Sequence, residues 1–187
     1  DEPSVRARAA ELLDDATTTA IARLQDTRDR AASFIAHASL RIALSAAMDC
    51  TPRDIRLERT VLGKPHLSDR DGLHFSLSHT RGAVGFALAL RPVGFDLEEA
   101  RSLPDMDGLA EIAFAEEMQT ALRAAPADKK TALFFRYWTL GEAYIKATGL
   151  GVSQGLQSFA FAADDPPRLL RATPGWGPPN RWRFAAL

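Results

Sequence analysis

The chain has 187 residues, 46% hydrophobic and 25% charged, the balance of an ordinary globular protein. Lys and Arg number 23 against 24 Asp and Glu, so no overall charge draws the chain to nucleic acid or to an anionic membrane, and any polyanion site has to be local. The single Cys50 excludes an internal disulfide framework and a cysteine-only metal cluster, which favours a reducing cytoplasm; no contiguous run approaches the ~20 apolar residues of a membrane span, and the charged opening DEPSVRARAAELLDD is unlike a secretory signal.

Residues 4–13 alternate at their start and read as a short strand. Asp14 to Ala47 is helical in pattern, with a break near Gln25–Asp29. Its strongest part places Phe34, Ile35, Ala38, Ile42 and Ala46 near helical spacing, and Pro52 ends it. DIRLERT then alternates over Ile55, Leu57 and Arg59 and runs into the turn GKP. LHFSLSH sets Leu73, Phe75 and Leu77 against His74, Ser76 and Ser78, the pattern of a half-buried strand. AVGFALAL is apolar on both faces and predicts a central strand, and VGFDLE predicts a third, so the group reads as an antiparallel meander.

After ARSLPD the pattern is helical from Met106 to Ala125 and from Lys129 to Thr148. LQSFAFA alternates as a strand, with RLLRAT and RWRFAAL as partners across the turn PGWGPPN. Each half therefore runs helix first, then strands. That order predicts an α+β fold of two similar lobes, residues 1–98 and 107–187, joined by residues 99–106. Each lobe would be a helix packed on a mainly antiparallel sheet.

Asp96 and Glu98 are the clearest chemical pair. On a strand they share a face, and two adjacent carboxylates repel unless a cation lies between them; a hard ion such as Mg²⁺ suits them, and a solvated strand end is the plainer alternative. Trp138, Glu142 and Lys146 recur every four residues on one helical face. Glu142 could add a third carboxylate and Lys146 a cation, or the two could form an ordinary surface pair. Ser78 and His79 end a strand at a turn, and Arg59 and Lys64 flank a glycine turn suited to phosphate, although GKP lacks the Walker spacing. No G-x-S-x-G, HExxH or GxGxxG occurs, and none of His37, His66, His74 and His79 pairs with cysteine at zinc spacing.

Taken in order, GKP, FSLSHT, VGFDLE and FFRYWTLGEAYIKATGLG strongly resemble the Sfp-type 4′-phosphopantetheinyl transferases, over about Asp29 to Phe161. The resemblance implies two α+β lobes related by a pseudo-twofold, with coenzyme A in the cleft between them. It implies transfer of the 4′-phosphopantetheine arm of coenzyme A to a serine of an apo acyl or peptidyl carrier protein, with Mg²⁺, releasing 3′,5′-ADP. It implies a cytoplasmic monomer with pseudo-dimeric lobes and no nucleic-acid or membrane partner. By the same resemblance Asp96, Glu98 and Glu142 bind Mg²⁺, and Lys146 contacts the phosphates and can protonate the leaving group. Arg59, Gly63, Lys64, Pro65, Ser78 and His79 contact coenzyme A, Trp138 shapes the pocket, and Glu117 or its neighbour Glu116 matches a further glutamate. The base is Glu142 or a metal-bound water.

The departures are Gly141, where the family has Lys, Ser76, where it has Asn, and a sparse set of N-terminal cations, Arg23, Arg28 and Arg30. They predict modest coenzyme A affinity, with Gly141→Lys as the change that restores a cation. Two alternatives follow: a homologue of the same fold that binds coenzyme A or a carrier without transfer, and a Mg²⁺ nuclease or phosphatase using the same carboxylates.

Overall fold

The computed structural model describes residues 11–68, 72–151 and 155–186. Helix and sheet are mixed: among the described residues there are five α-helices and three two-stranded antiparallel ribbons. The chain divides after Leu97 into two units, Asp1–Leu97 and Glu98–Leu187. Of the strand expected at 4–13, residues 4–10 lie outside the described residues, and Glu11 and Leu12 are helical.

In the first unit, helix α1 (Asp15–Ala22) starts where the Asp14 carboxylate accepts the Thr17 N–H at 2.7 Å. Helix α2 (Thr27–Met48) starts where Asp26 accepts the N–H groups of Arg28 and Asp29 at 2.6 and 3.3 Å. These caps set the break between the helices. The inner row of α2 is Ser33, Ala36, Leu40 and Leu44, with Ala38 also buried. Ile35 and Ile42, expected on that row, are 50% and 51% exposed, and Ala46 is exposed. Helix α2 packs against the ribbon described next and against α1, and the face it buries there is made of small residues and leucines. By length and composition α2 also meets the threshold for a membrane-crossing helix, which no contiguous apolar run reveals. Its buried Arg41 donates to the carbonyls of Pro52 and Ile55 at 2.7 and 3.0 Å and to the Asp14 carboxylate.

Strands β1 (Leu57–Arg59) and β2 (Pro65–Leu67) form a hairpin with Arg59 opposite Pro65. Pro65 thus opens a strand rather than closing a turn, a place where its missing N–H does no harm. Strands β3 (His74–Thr80) and β4 (Ala83–Ala89) pair along their whole length. One face carries Phe75, Leu77, Phe86 and Leu88, packed with Leu40 and Leu44 of α2. The strand expected to be central, β4, is half of a two-stranded ribbon: Ala83 is exposed, the rest of the strand is half-buried, and Leu90 beyond it is 81% exposed. Residues 93–98, expected as a third strand, join no ladder.

In the second unit, the helix expected over Met106–Ala125 is broken at Phe114 and Ala115 into α3 (Met106–Ala113) and α4 (Glu116–Ala124). Phe114 is fully buried, so the break turns a ring into the core. Helix α5 (Ala127–Thr148) follows Pro126 and ends on Gly149 at φ 73°. Its inward residues Phe134, Tyr137, Leu140, Gly141 and Tyr144 recur at helical spacing. They meet Phe159 and Phe161 around a short ribbon of β5 (Ala160–Ala162) and β6 (Arg168–Arg171). Leu103, within the expected linker, packs on this core. The expected strand RWRFAAL does not form: among its described residues, Trp182 and Phe184 lie edge-on or tilted to Tyr144, at 4.7 and 6.3 Å between ring centroids.

Candidate active site

The face of the β3–β4 ribbon turned away from α2 is a shelf of small residues, with Ser76 opposite Ala87 and Ser78 opposite Gly85. Residues 93–96 lie on it. The Phe95 N–H donates to Ser76 Oγ at 2.9 Å, and Ser76 Oγ donates to the Phe95 carbonyl at 3.4 Å. The Phe95 ring covers Gly85 so closely that a Cβ there would stand 2.7 Å from two ring carbons. Ser78 Oγ then donates to Asp96 Oδ1 at 2.9 Å. Both serines are therefore buried rather than solvent-facing. Side-chain hydrogen bonds stand where the expected third strand would have had a ladder.

The β1–β2 hairpin brings Arg59, Gly63, Lys64 and Pro65 together. Gly63 takes φ 86°, a left-handed conformation glycine accepts without strain, and its carbonyl accepts from Arg59 Nη1 at 2.9 Å. The Lys64 N–H bonds Thr60 Oγ1 at 3.1 Å, and burial pushes the Lys64 ammonium below the usual lysine range. His79 is exposed at the end of β3. His37, on α2, is half-buried; burial, and then the charges of His79, Arg41 and Arg59, lower its pKa from the ordinary 6.5, with Asp14 opposing. Arg41, Arg59 and His79 are thus near enough to His37 for their charges to disfavour its protonation. Of the sparse N-terminal cations, Arg30 is spent on structure, donating to the carbonyls of Leu24 and Gln25 at 2.7 and 3.2 Å.

In the second unit Glu142 and Lys146 stand one turn apart on α5, both half-buried, and Lys146 lies in the last turn, where the helix dipole favours a cation. Trp138, read as a wall of the pocket, packs within its own unit, stacked on Phe134 at 6.1 Å and edge-on to Phe114 at 6.4 Å. Gly141 is buried, and a Cβ there would stand 2.6 Å from Leu156 Cδ2 and 3.4 Å from the Phe159 ring. The glycine therefore has a packing reason. Glu117 is held by Arg171 through two contacts of 3.2 Å, which lower its pKa below the usual carboxylate range. The pair borders a concavity of about 780 Å³ at the start of α4, and no other residue read as a site lines it. Asp96 stands next to the end of the first unit and Glu98 begins the second. Among the described residues no three His, Cys, Asp or Glu side chains form a ready-made metal cluster.

Residues 92–186, just over half of the chain, match the family described as the 4′-phosphopantetheinyl transferase superfamily. The chain is 35% identical over 141 residues to 4′-phosphopantetheinyl transferase HetI of Nostoc sp., covering 73% of this chain and 60% of the relative. It is 39% identical over 110 residues to 4′-phosphopantetheinyl transferase psf-1 of Bacillus pumilus, covering 58% and 46%, and 28% identical over 138 residues to 4′-phosphopantetheinyl transferase Sfp of Bacillus subtilis, covering 74% and 61%.

The chain belongs to the 4′-phosphopantetheinyl transferase superfamily. It spans less than two thirds of the length of each of these three relatives. The superfamily match includes Asp96, Glu98, Glu142 and Lys146, whereas the GKP hairpin and the Ser78–His79 pair precede it. In the sequence Ser76 stands out as one of the polar face of a strand and as a departure from the superfamily pattern, with nothing to show its partner. The signal for its role is Gly85, since a glycine inside a strand marks a close backbone or side-chain approach. His37 has no such signal, because nothing in its own segment foretells which strand ends α2 will face.

Proposed function

We propose that this protein transfers the 4′-phosphopantetheine arm of coenzyme A to a serine of an apo acyl or peptidyl carrier protein and releases 3′,5′-ADP. The observation that carries the reading is the Asp96 carboxylate, placed by Ser78 at 2.9 Å, within a chain that also holds Glu142 and Lys146 one turn apart on α5. The two units are taken as similar lobes related by a pseudo-twofold in a monomeric cytoplasmic enzyme that needs neither nucleic acid nor membrane.

Asp96, Glu98 and Glu142 are hard oxygen donors that fit Mg²⁺, with Ser78 fixing one oxygen of the first. The ion would complete their grouping and, when bound, neutralise charge on the pyrophosphate. Arg59, Lys64 and His79 hold the anionic end of coenzyme A. The serine oxygen attacks the pantetheine-side phosphorus, the P–O bond to 3′,5′-ADP breaks with its electron pair, and Glu142 accepts the serine proton. Lys146 meets the charge that appears on the departing phosphate.

The test is an apo carrier incubated with coenzyme A and Mg²⁺ and read by mass spectrometry. A gain of one phosphopantetheine is expected, and it is lost in Asp96→Ala while the melting temperature stays near wild type. No gain on any acyl or peptidyl carrier, with coenzyme A still bound, would sink the reading in favour of a non-transferring binding homologue.

A further inference from the structure

We propose that Ser76 is a positioning residue: by gripping both polar groups of the Phe95 backbone it sets where the Asp96 carboxylate stands. The inference rests on the reading of Asp96 as a Mg²⁺ ligand and adds a residue to that site which the superfamily pattern does not supply.

Residues 93–98 lack the support of a regular strand. They join no ladder, so nothing periodic fixes their distance from the ribbon. A backbone N–H and carbonyl set against a covered surface need partners. For Phe95 both partners are one hydroxyl, Ser76 Oγ, which accepts at 2.9 Å and donates at 3.4 Å. A hydroxyl can do both because it carries one hydrogen and two lone pairs. Ser76 is itself only 6% exposed, so water cannot readily stand in for it. On the same face Gly85 seats the Phe95 ring, and Ser78 takes the carboxylate of the next residue. Backbone, ring and carboxylate are thus registered against three small residues on adjacent strands. Shifting Phe95 moves Asp96 with it, and an octahedral ion that tolerates little misplacement responds to such a shift.

Two measurements test this on the whole chain. The first is hydrogen exchange of the Phe95 amide by NMR. The second is a calorimetric titration of Mg²⁺ into protein saturated with coenzyme A, with no carrier present. In Ser76→Ala the amide should exchange about ten-fold faster and Mg²⁺ should bind about ten-fold more weakly, the scale of one lost buried hydrogen bond. Ser76→Thr, which keeps the hydroxyl, should restore both. Gly85→Ala, which lifts the ring and leaves the hydroxyl, should weaken Mg²⁺ without removing the bond partner of Phe95. Coenzyme A affinity measured without metal should be unchanged in all three, a separation that general destabilisation would not produce. Unchanged exchange in Ser76→Ala, or faster exchange with unaltered Mg²⁺ affinity, would overturn the proposal. Wild-type protein that binds no Mg²⁺ would take down the metal reading first, before any variant is compared.

Discussion

The two long helices, α2 and α5, make a natural pair: each has 22 residues, and each closes on a left-handed residue, Asp49 at φ 52° and Gly149 at φ 73°. Their inner rows differ. Helix α5 sends Phe134, Tyr137 and Tyr144 into a core that also holds Phe114, Phe159 and Phe161. Helix α2 presents Ser33, Ala36, Leu40 and Leu44, and among the described residues the buried cluster of its unit is Leu40, Leu44, Ile55, Leu67 and Phe75, with half-buried Leu77, Phe86 and Leu88 packed on it. The second unit is therefore held mainly by aromatic burial. The first leans on polar ties, with Arg41 beneath the helix and Ser76 beneath Phe95.

The largest effect should come from the aromatic side. Phe159 is fully buried, 4.9 Å from Tyr144 and 5.7 Å from Phe161 between centroids. Phe159→Ala should lose about 3–5 kcal/mol in chemical denaturation, the range for emptying a buried ring site. A loss below about 1 kcal/mol would mean that the second core collapses easily and that the contrast with the first is overstated. Next is the polar side. Arg41→Met keeps length and apolar packing but leaves two carbonyls and the Asp14 carboxylate without their donor. About 2–3 kcal/mol should be lost, since buried groups deprived of a charged partner are expensive to leave unmade. Wild-type stability in this variant would show that the β3–β4 ribbon alone holds α2.

How far the sequence could be read follows the same division. The second unit's helices are legible because large apolar residues recur at 3.6 spacing; the break at Phe114, the absent last strand and the 3-10 turn at Leu156–Ser158, where the expected strand LQSFAFA begins, escape. In the first unit the period is right but the face is wrong. Ile35 and Ile42 carry the hydrophobic signal, while Ser33 and Ala36 do the packing because they are small. Motif order points to the candidate site, yet the surroundings of Ser76 and His37 are remote in sequence, Phe95 for the one and Arg59 and His79 for the other. Those neighbours are set by strand register and helix docking, and no local pattern encodes either.

Gly141 is where the two inner rows are most alike, each using a small residue to let another element approach. In the sequence Gly141 stands where the family has a lysine, as a missing cation. In the structure Leu156 and Phe159 occupy the space above it. Gly141→Ala should be nearly neutral, because the ~1 kcal/mol gain in helix propensity offsets moving the flexible end of Leu156. Gly141→Lys should lose about 1–3 kcal/mol by overpacking, read as a lower melting temperature. A variant with unchanged melting and tighter coenzyme A binding would restore the missing-cation view.

The smallest effect concerns His37 on α2, which is half-buried. Burial and the charges of His79, Arg41 and Arg59 lower its folded-state pKa below 6.5, the value the unfolded chain keeps. Between those two values the unfolded chain binds more protons, so stability rises with pH through that window. The contribution is fully present above pH 6.5 and is lost as pH falls through the lowered value. His37→Gln should therefore flatten the decline in melting temperature on acidification below pH 6.5, and leave the alkaline side unchanged. Coenzyme A should act in the opposite sense on the wild type. A phosphate seated beside Arg59 and His79 favours protonated His37, so the ligand should protect more strongly at pH 6 than at pH 8, by an amount that shrinks in His37→Gln. Equal protection at both pH values would place the anion away from α2, and would leave the first unit's cations as structural ties like Arg41.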